Sequence, residues 1–209
     1  MSSEGERKGQ PRKPNFELSA EDLRSVVAFT SAAAEVVLPH FEMRCPEDGR
    51  PRQALTAALA FVHGAPRSRA QRVSAPAAHR AGREAASEIA FHAAMAAGDA
   101  AASAYLHPLA DPVQVKHILR APAHAVRVIE LTDSPDRDVD LSPLLERFAS
   151  YATSQLRDVL RRYPRISATS SRTTEKSSLI NDRTNPINRS IYELDARLRS
   201  GPTAATEQR

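Results

Sequence analysis

Five of the seven histidines in this 209-residue sequence fall between His79 and His124. Neutral imidazole is the commonest metal ligand and a ready acid or base near neutral pH, so a histidine-lined metal site is the first chemistry to weigh. Their spacing suits that use poorly. No two sit four residues apart with a carboxylate between them, as on a zinc-peptidase helix, and His117 and His124 share a helical face only across two turns. Hydrogen bonding between helices uses such residues equally well. His79 and Arg83, one turn apart, could converge on an anion or on an acidic group of a partner, while Glu84 and Glu88 could equally satisfy Arg83. Arg50 and Arg52 flank Pro51 at the start of an expected helix, where unsatisfied N–H groups add positive potential. An internal cap or salt link is the simpler use of that pair.

Covalent chemistry finds less. Cys45 is the only cysteine, so an intrachain disulfide and a thiolate-rich zinc site are excluded. The acids Glu42, Glu47 and Asp48 near it would raise a thiol pKa and oppose activation. No nucleophile elbow, phosphate-cradling glycine loop or dinucleotide fingerprint occurs, so the sequence supports neither an enzyme nor a cofactor.

The elements that must position these residues are helical. About half of the stretch from Ala75 to Leu106 is alanine, the best helix former, with a break expected near Ser87. Pro76 suits a first turn, Gly98 marks a place where another helix comes very near, and Pro108 ends the second segment. Asp111 with Pro112 and Gln114 then reads as an N-cap, N1 and capping-box set, followed by a stripe from Val115 to Ile129 that Pro122 should kink. Upstream, Ser19 and Asp22 make a capping box before an apolar stripe from Leu23 to Phe41, which Pro39 should bend. Pro51 opens a helix through Leu55 and Val62 that Gly64 closes. Arg67 to Val73 is a short basic stretch that reads as a solvated surface or as one or two helical turns. Thr132 to Asp140 reads as an exposed loop, and Ser142-Pro143 begins a helix whose apolar face runs to Tyr163.

With 5% aromatic residues and no tryptophan, the expected fold is all-α, a compact alanine-rich bundle of about five to seven helices. Residues 1–15 read as a disordered arm, 16–164 as the helical domain, and 165–209 as a mostly disordered Ser/Thr/Arg-rich tail. Within that tail a short helix at 190–200 carries a Ser190–Glu193 capping box. Net charge is +4, with acids and bases interspersed, which argues against nucleic acid as the main partner. No uninterrupted apolar run reaches about 18 residues, and the polar N-terminus lacks a signal core. A cytoplasmic protein is the expectation.

Certain segments occur in an order that resembles a known family. Val37-Leu38-Pro39 with Phe41-Glu42, Arg50-Pro51-Arg52, Ala78-His79 with Arg83-Glu84-Ala85, Ala96-Ala97-Gly98, Ala102-Ser103-Ala104-Tyr105 and Gln114-Val115-Lys116-His117 together resemble the Imm-five-like family of proposed immunity proteins, over roughly Leu18 to Tyr163. Family members often carry histidine where this chain has Tyr105, and a more uniform alanine helix where Pro122 stands. The resemblance implies a small all-helical domain that binds and neutralises a cognate protein toxin without catalysis. The candidate partner site is then His79, Arg83, Glu84, His107, His117, Arg50 and Arg52. The alternative is a metal- or small-anion-binding helical protein, enzymatic or sensory, using the His79, Arg83, His107 and His117 set.

Overall fold

The computed structural model describes residues 15–133, 140–166, 182 and 184–201. Among these lie eight helices, one more than the upper expectation, and no strand; a single antiparallel bridge joins Asn15 to Leu109. The N-terminal arm up to residue 14, most of the Thr132–Asp140 loop and most of the tail fall outside the described residues.

Helix α1 (Ala20–Arg44) opens on the expected box: Ser19 Oγ accepts from Asp22 N at 3.0 Å, and Ser19 N donates to Asp22 Oδ2 at 3.0 Å. Its buried face includes Leu23, Val26, Val27, Val37, Leu38 and Phe41. The helix is long and apolar enough to cross a membrane, but 56% of its most apolar window is buried, so packing within the bundle accounts for that composition. Helix α2 (Arg50–Val62) starts with Pro51 in its first turn and ends before Gly64, whose φ of 103° needs a residue without Cβ.

Helix α3 (Arg69–Glu84) and helix α4 (Glu88–Ser103) are separated at Ser87, as the sequence suggests. The start of α3 differs from expectation. Ser68 and Gln71 form a capping box, so the basic stretch becomes the first turns of α3 and Pro76 lies in its interior. Local proline statistics lost to a cap eight residues upstream of Pro76. Helix α4 is the axis of the bundle, packed by α1, α2, α3 and α5 (Pro112–Asp133). Small residues permit that. A Cβ on Gly98 would collide with the His79 ring and lie 3.0 Å from the Ala75 carbonyl oxygen, so α3 and α4 approach through a gap that only glycine leaves. On the other side Thr30 Oγ1 and Ser103 Oγ share a hydrogen bond at 3.0 Å, stitching α1 to α4 inside the core.

Pro39 and Pro122, expected to bend or break their helices, stand inside unbroken α1 and α5. An interior proline costs about 3 kcal/mol. Burial of a single large aliphatic side chain contributes roughly 1.5–3 kcal/mol, and α5 alone buries Val115, Ile118, Leu119, Val126, Val128 and Ile129, so packing outweighs the lost hydrogen bond. Gln114 also departs from its expected role: its Oε1 accepts from His107 N at 3.1 Å and braces the preceding loop instead of closing a box.

The helix expected from Ser142 to Tyr163 is two, α6 (Ser142–Ala149) and α7 (Ser154–Arg161), because Thr153 caps a new start by accepting from Leu156 N at 3.2 Å. The tail helix α8 (Pro186–Ser200) begins earlier than 190. Asn185 is its N-cap, and Ser190 is buried within the helix instead of capping it. It docks on α5 and α6, burying Ile191, Leu194 and Leu198. Its C-terminal carbonyls are satisfied by arginines of α7, Arg157 Nη1 donating to Leu198 O at 3.0 Å and Arg161 Nη2 to Arg199 O at 2.8 Å.

Candidate functional site

The sequence-derived candidates do not form one site. Arg50 pairs with Asp48 at 2.6 Å and with Glu84 at 2.5 Å, and Arg52 pairs with Glu42 at 2.7 Å, so these arginines tie the α1–α2 corner to the end of α3. Arg83 is exposed on α3, and neither Glu84 nor Glu88 serves it, since Glu88 pairs with Arg127 at 2.9 Å. His107 is exposed while its backbone is held, N–H to Gln114 and carbonyl to the Tyr163 hydroxyl at 2.9 Å. His79 alone of the set turns inward to a buried carboxylate, and His117 lies half-buried within that carboxylate's field.

That carboxylate is Asp99, 5% exposed, in the fourth turn of α4. His79 Nε2 meets its Oδ1 at 3.1 Å from α3; from α5, Arg120 Nε lies 3.3 Å and His124 Nε2 3.6 Å from its Oδ2. Burial alone would raise the Asp99 carboxyl, but the His79 hydrogen bond and the Arg120 charge outweigh it and hold the group below the usual carboxylate range. Burial has the opposite consequence for the imidazoles. It pushes His124 down to about 3 against the pull of Asp99, and it lowers His92 and His117 as well. Arg120 adds to the lowering at His117 and His124. These rings are therefore neutral at ordinary pH.

Neutral rings make the protons countable. His92 Nδ1 and His124 Nδ1 are 2.8 Å apart, His92 Nε2 lies 3.5 Å from Glu88 Oε1, and His124 Nε2 faces Asp99. Two neutral imidazoles bring two ring protons to three gaps. The Nδ1–Nδ1 contact takes one, so either His92 carries Nε2–H toward Glu88 and the His124 Nε2 lone pair meets those of Asp99 Oδ2, or His124 carries Nε2–H toward Asp99 and the gap at Glu88 is bare. His124 Nε2 and Asp99 Oδ2, 3.6 Å apart, are both buried and make no hydrogen bond among the described residues.

Sequence reasoning missed Asp99, Arg120 and the partnership of His92 with His124. One signal was present: Asp99 follows Gly98 inside an alanine run, where an ionisable residue on an otherwise apolar helix needs a buried partner. Its partners, 20 or more positions away, carry no local mark. As for a metal, no group of three or more His, Cys, Asp or Glu side chains among the described residues is arranged to hold one.

By architecture the chain is a compact alanine-centred helical bundle with a small ionisable cluster buried around Asp99. The chain belongs to the family described as Imm-5 like putative immunity protein, whose model matches residues 17–151, from just before α1 to just past α6. Helices α7 and α8 lie beyond the matched span. No curated protein and no solved structure matches the chain.

Proposed function

We propose that this chain is an immunity-type interaction protein that binds a cognate protein toxin and holds it inactive, in the cytoplasm and without catalysis of its own. The family match over residues 17–151 carries this reading. The outer face of α3 supports a place for the contact. Arg69, Arg72, Arg80 and Arg83 are exposed there at helical spacing, Val73 between them is 54% exposed, and Glu84, the only acid on α3, is drawn off by Arg50. A basic stripe around an apolar centre complements an acidic protein surface and speeds its association.

The test is co-expression with toxin-like proteins encoded beside this gene, scored by growth rescue and by co-purification. Rescue with a complex is expected. The pair Arg80→Glu and Arg83→Glu should lower the association rate about tenfold or more and flatten its salt dependence. Absence of both rescue and complex would overturn the reading.

A further inference from the structure

We propose that the outward face of α3 docks one helix of the partner, acidic at both ends and apolar at its middle, packed lengthwise along it. This rests on the reading of that face as the toxin contact and names the element that fills it. The spacing carries the inference. Arg69, Val73, Pro76, Arg80 and Arg83 are all exposed and follow one another in steps of four, three, four and three residues. That alternation is how one helix offers a continuous seam to another. Gln71, Ala75, Ala78 and Gly82 repeat it on the opposite side of α3, and they are buried in the bundle. The helix therefore has one seam filled from within and one open.

The open seam changes character along its length. Val73 and Pro76 make an apolar middle, while arginines stand at both ends of a stretch of about 21 Å. Among the described residues Arg69, Arg72, Arg80 and Arg83 form no ion pair. Arg50, Arg52, Arg127 and Arg197, on other helices, each pair with a carboxylate. A row of unpaired cations, on a chain that pairs its arginines elsewhere, is complementary to acids supplied from outside.

The N-terminal end of the seam is also held in place. The Arg67 and Arg72 guanidinia lie 5.8 and 5.1 Å from the centre of the Tyr105 ring, whose hydroxyl donates to Ser68 O at 2.7 Å. Arg67 Nη1 donates in turn to Ala104 O at 3.4 Å. Guanidinia stacked on a fixed ring lose less freedom when they pair with a carboxylate, so this end is pre-organised for an acidic helix. Other occupants fit less well. A second copy of the chain would bring arginines against arginines along the seam. A nucleic acid binds through its phosphates, which would leave Val73 and Pro76 uncovered.

The full chain titrated with a lactam-stapled helical peptide of about three heptads, followed by its amide resonances, tests the proposal. The peptide carries leucine at its middle seam positions and glutamate at the seam ends, and a stapled control of the same composition has these positions scrambled. Saturable binding is expected, with shifts along the outward seam and at Tyr105, and the control should bind about tenfold more weakly or worse. Val73→Glu, at an exposed position, should melt with the parent and weaken binding about tenfold or more. A peptide that does not saturate, a control that binds as tightly, or an affinity unchanged in Val73→Glu overturns the proposal. So does tighter binding of oligouridylate, which would make the face a nucleic-acid surface. In co-expression, growth rescue by the parent and by Val73→Glu alike overturns the docking while the immunity reading stands, whereas no rescue by the parent overturns that reading itself.

Discussion

His92 and His124 face each other through their Nδ1 atoms at 2.8 Å, which requires one ring to donate and the other to accept. Two cationic rings cannot make this contact, and burial keeps both neutral. Long-range nitrogen–proton NMR should find one of the two rings protonated on Nδ1 and the other on Nε2, never both on the same atom.

Acid should therefore unfold this protein through its interior. His124 has a folded pKa of about 3 against an unfolded value near 6.5, so between these the unfolded chain binds the extra proton and stability falls as pH falls. One such group contributes a slope of at most about 1.4 kcal/mol per pH unit. Asp99, also lowered on folding, adds loss in the same direction below the usual carboxylate pKa. Urea unfolding at a series of pH values should show a steep decline from pH 6.5 downward, and His124→Gln should flatten it even though the variant starts less stable.

Replacing the glycine that separates α3 from α4 sets two effects against each other. Gly98→Ala gains about 1 kcal/mol of helix propensity. Its methyl, however, collides with the His79 ring and presses on the Ala75 carbonyl oxygen at 3.0 Å, a backbone atom with little freedom to yield. Overpacking of this kind costs about 1–3 kcal/mol, so net destabilisation is expected, with the His79–Asp99 hydrogen bond lost. A melting temperature at or above the parent value would contradict it.

Neutralising the buried carboxylate should cost more than removing either imidazole. Asp99→Asn leaves Arg120 without its counter-charge and offers one acceptor oxygen where His79 and Arg120 each had one. Breaking a fully buried pair costs about 3–5 kcal/mol, and the solvent reaching Arg120, whose side chain is 33% exposed, lowers the expected loss to about 2–4 kcal/mol. Denaturant unfolding of Asp99→Asn beside His79→Gln gives the comparison.

The tail helix is held by its apolar face. Leu194 is fully buried in the contact of α8 with its neighbours, and Leu194→Ala should cost about 2–5 kcal/mol of docking. Proteolysis should then cut between residues 182 and 201 well before α1 to α5 are attacked. Equal resistance in parent and variant would show that the arginine contacts from α7 suffice.

The sequence by itself determined what the backbone resolves within a turn or two. The Ser19–Asp22 box, Pro51 at a helix start, Gly64 at a helix end and the break at Ser87 each depend on hydrogen bonds to residues at most four or five positions away, so residue type and spacing specify them. The closeness implied by Gly98 was legible too, because only a packed neighbour repays a glycine in so favourable a helix. Tertiary structure decided the rest. Pro39, Pro76 and Pro122 stay within helices because side-chain burial exceeds the local penalty, and that balance depends on partners no window contains. Asp99 found His79, Arg120 and His124 on two other helices. Their meeting follows from how those helices cross, since each charge was free to be solvated until the bundle closed and desolvation left it only the others to pair with.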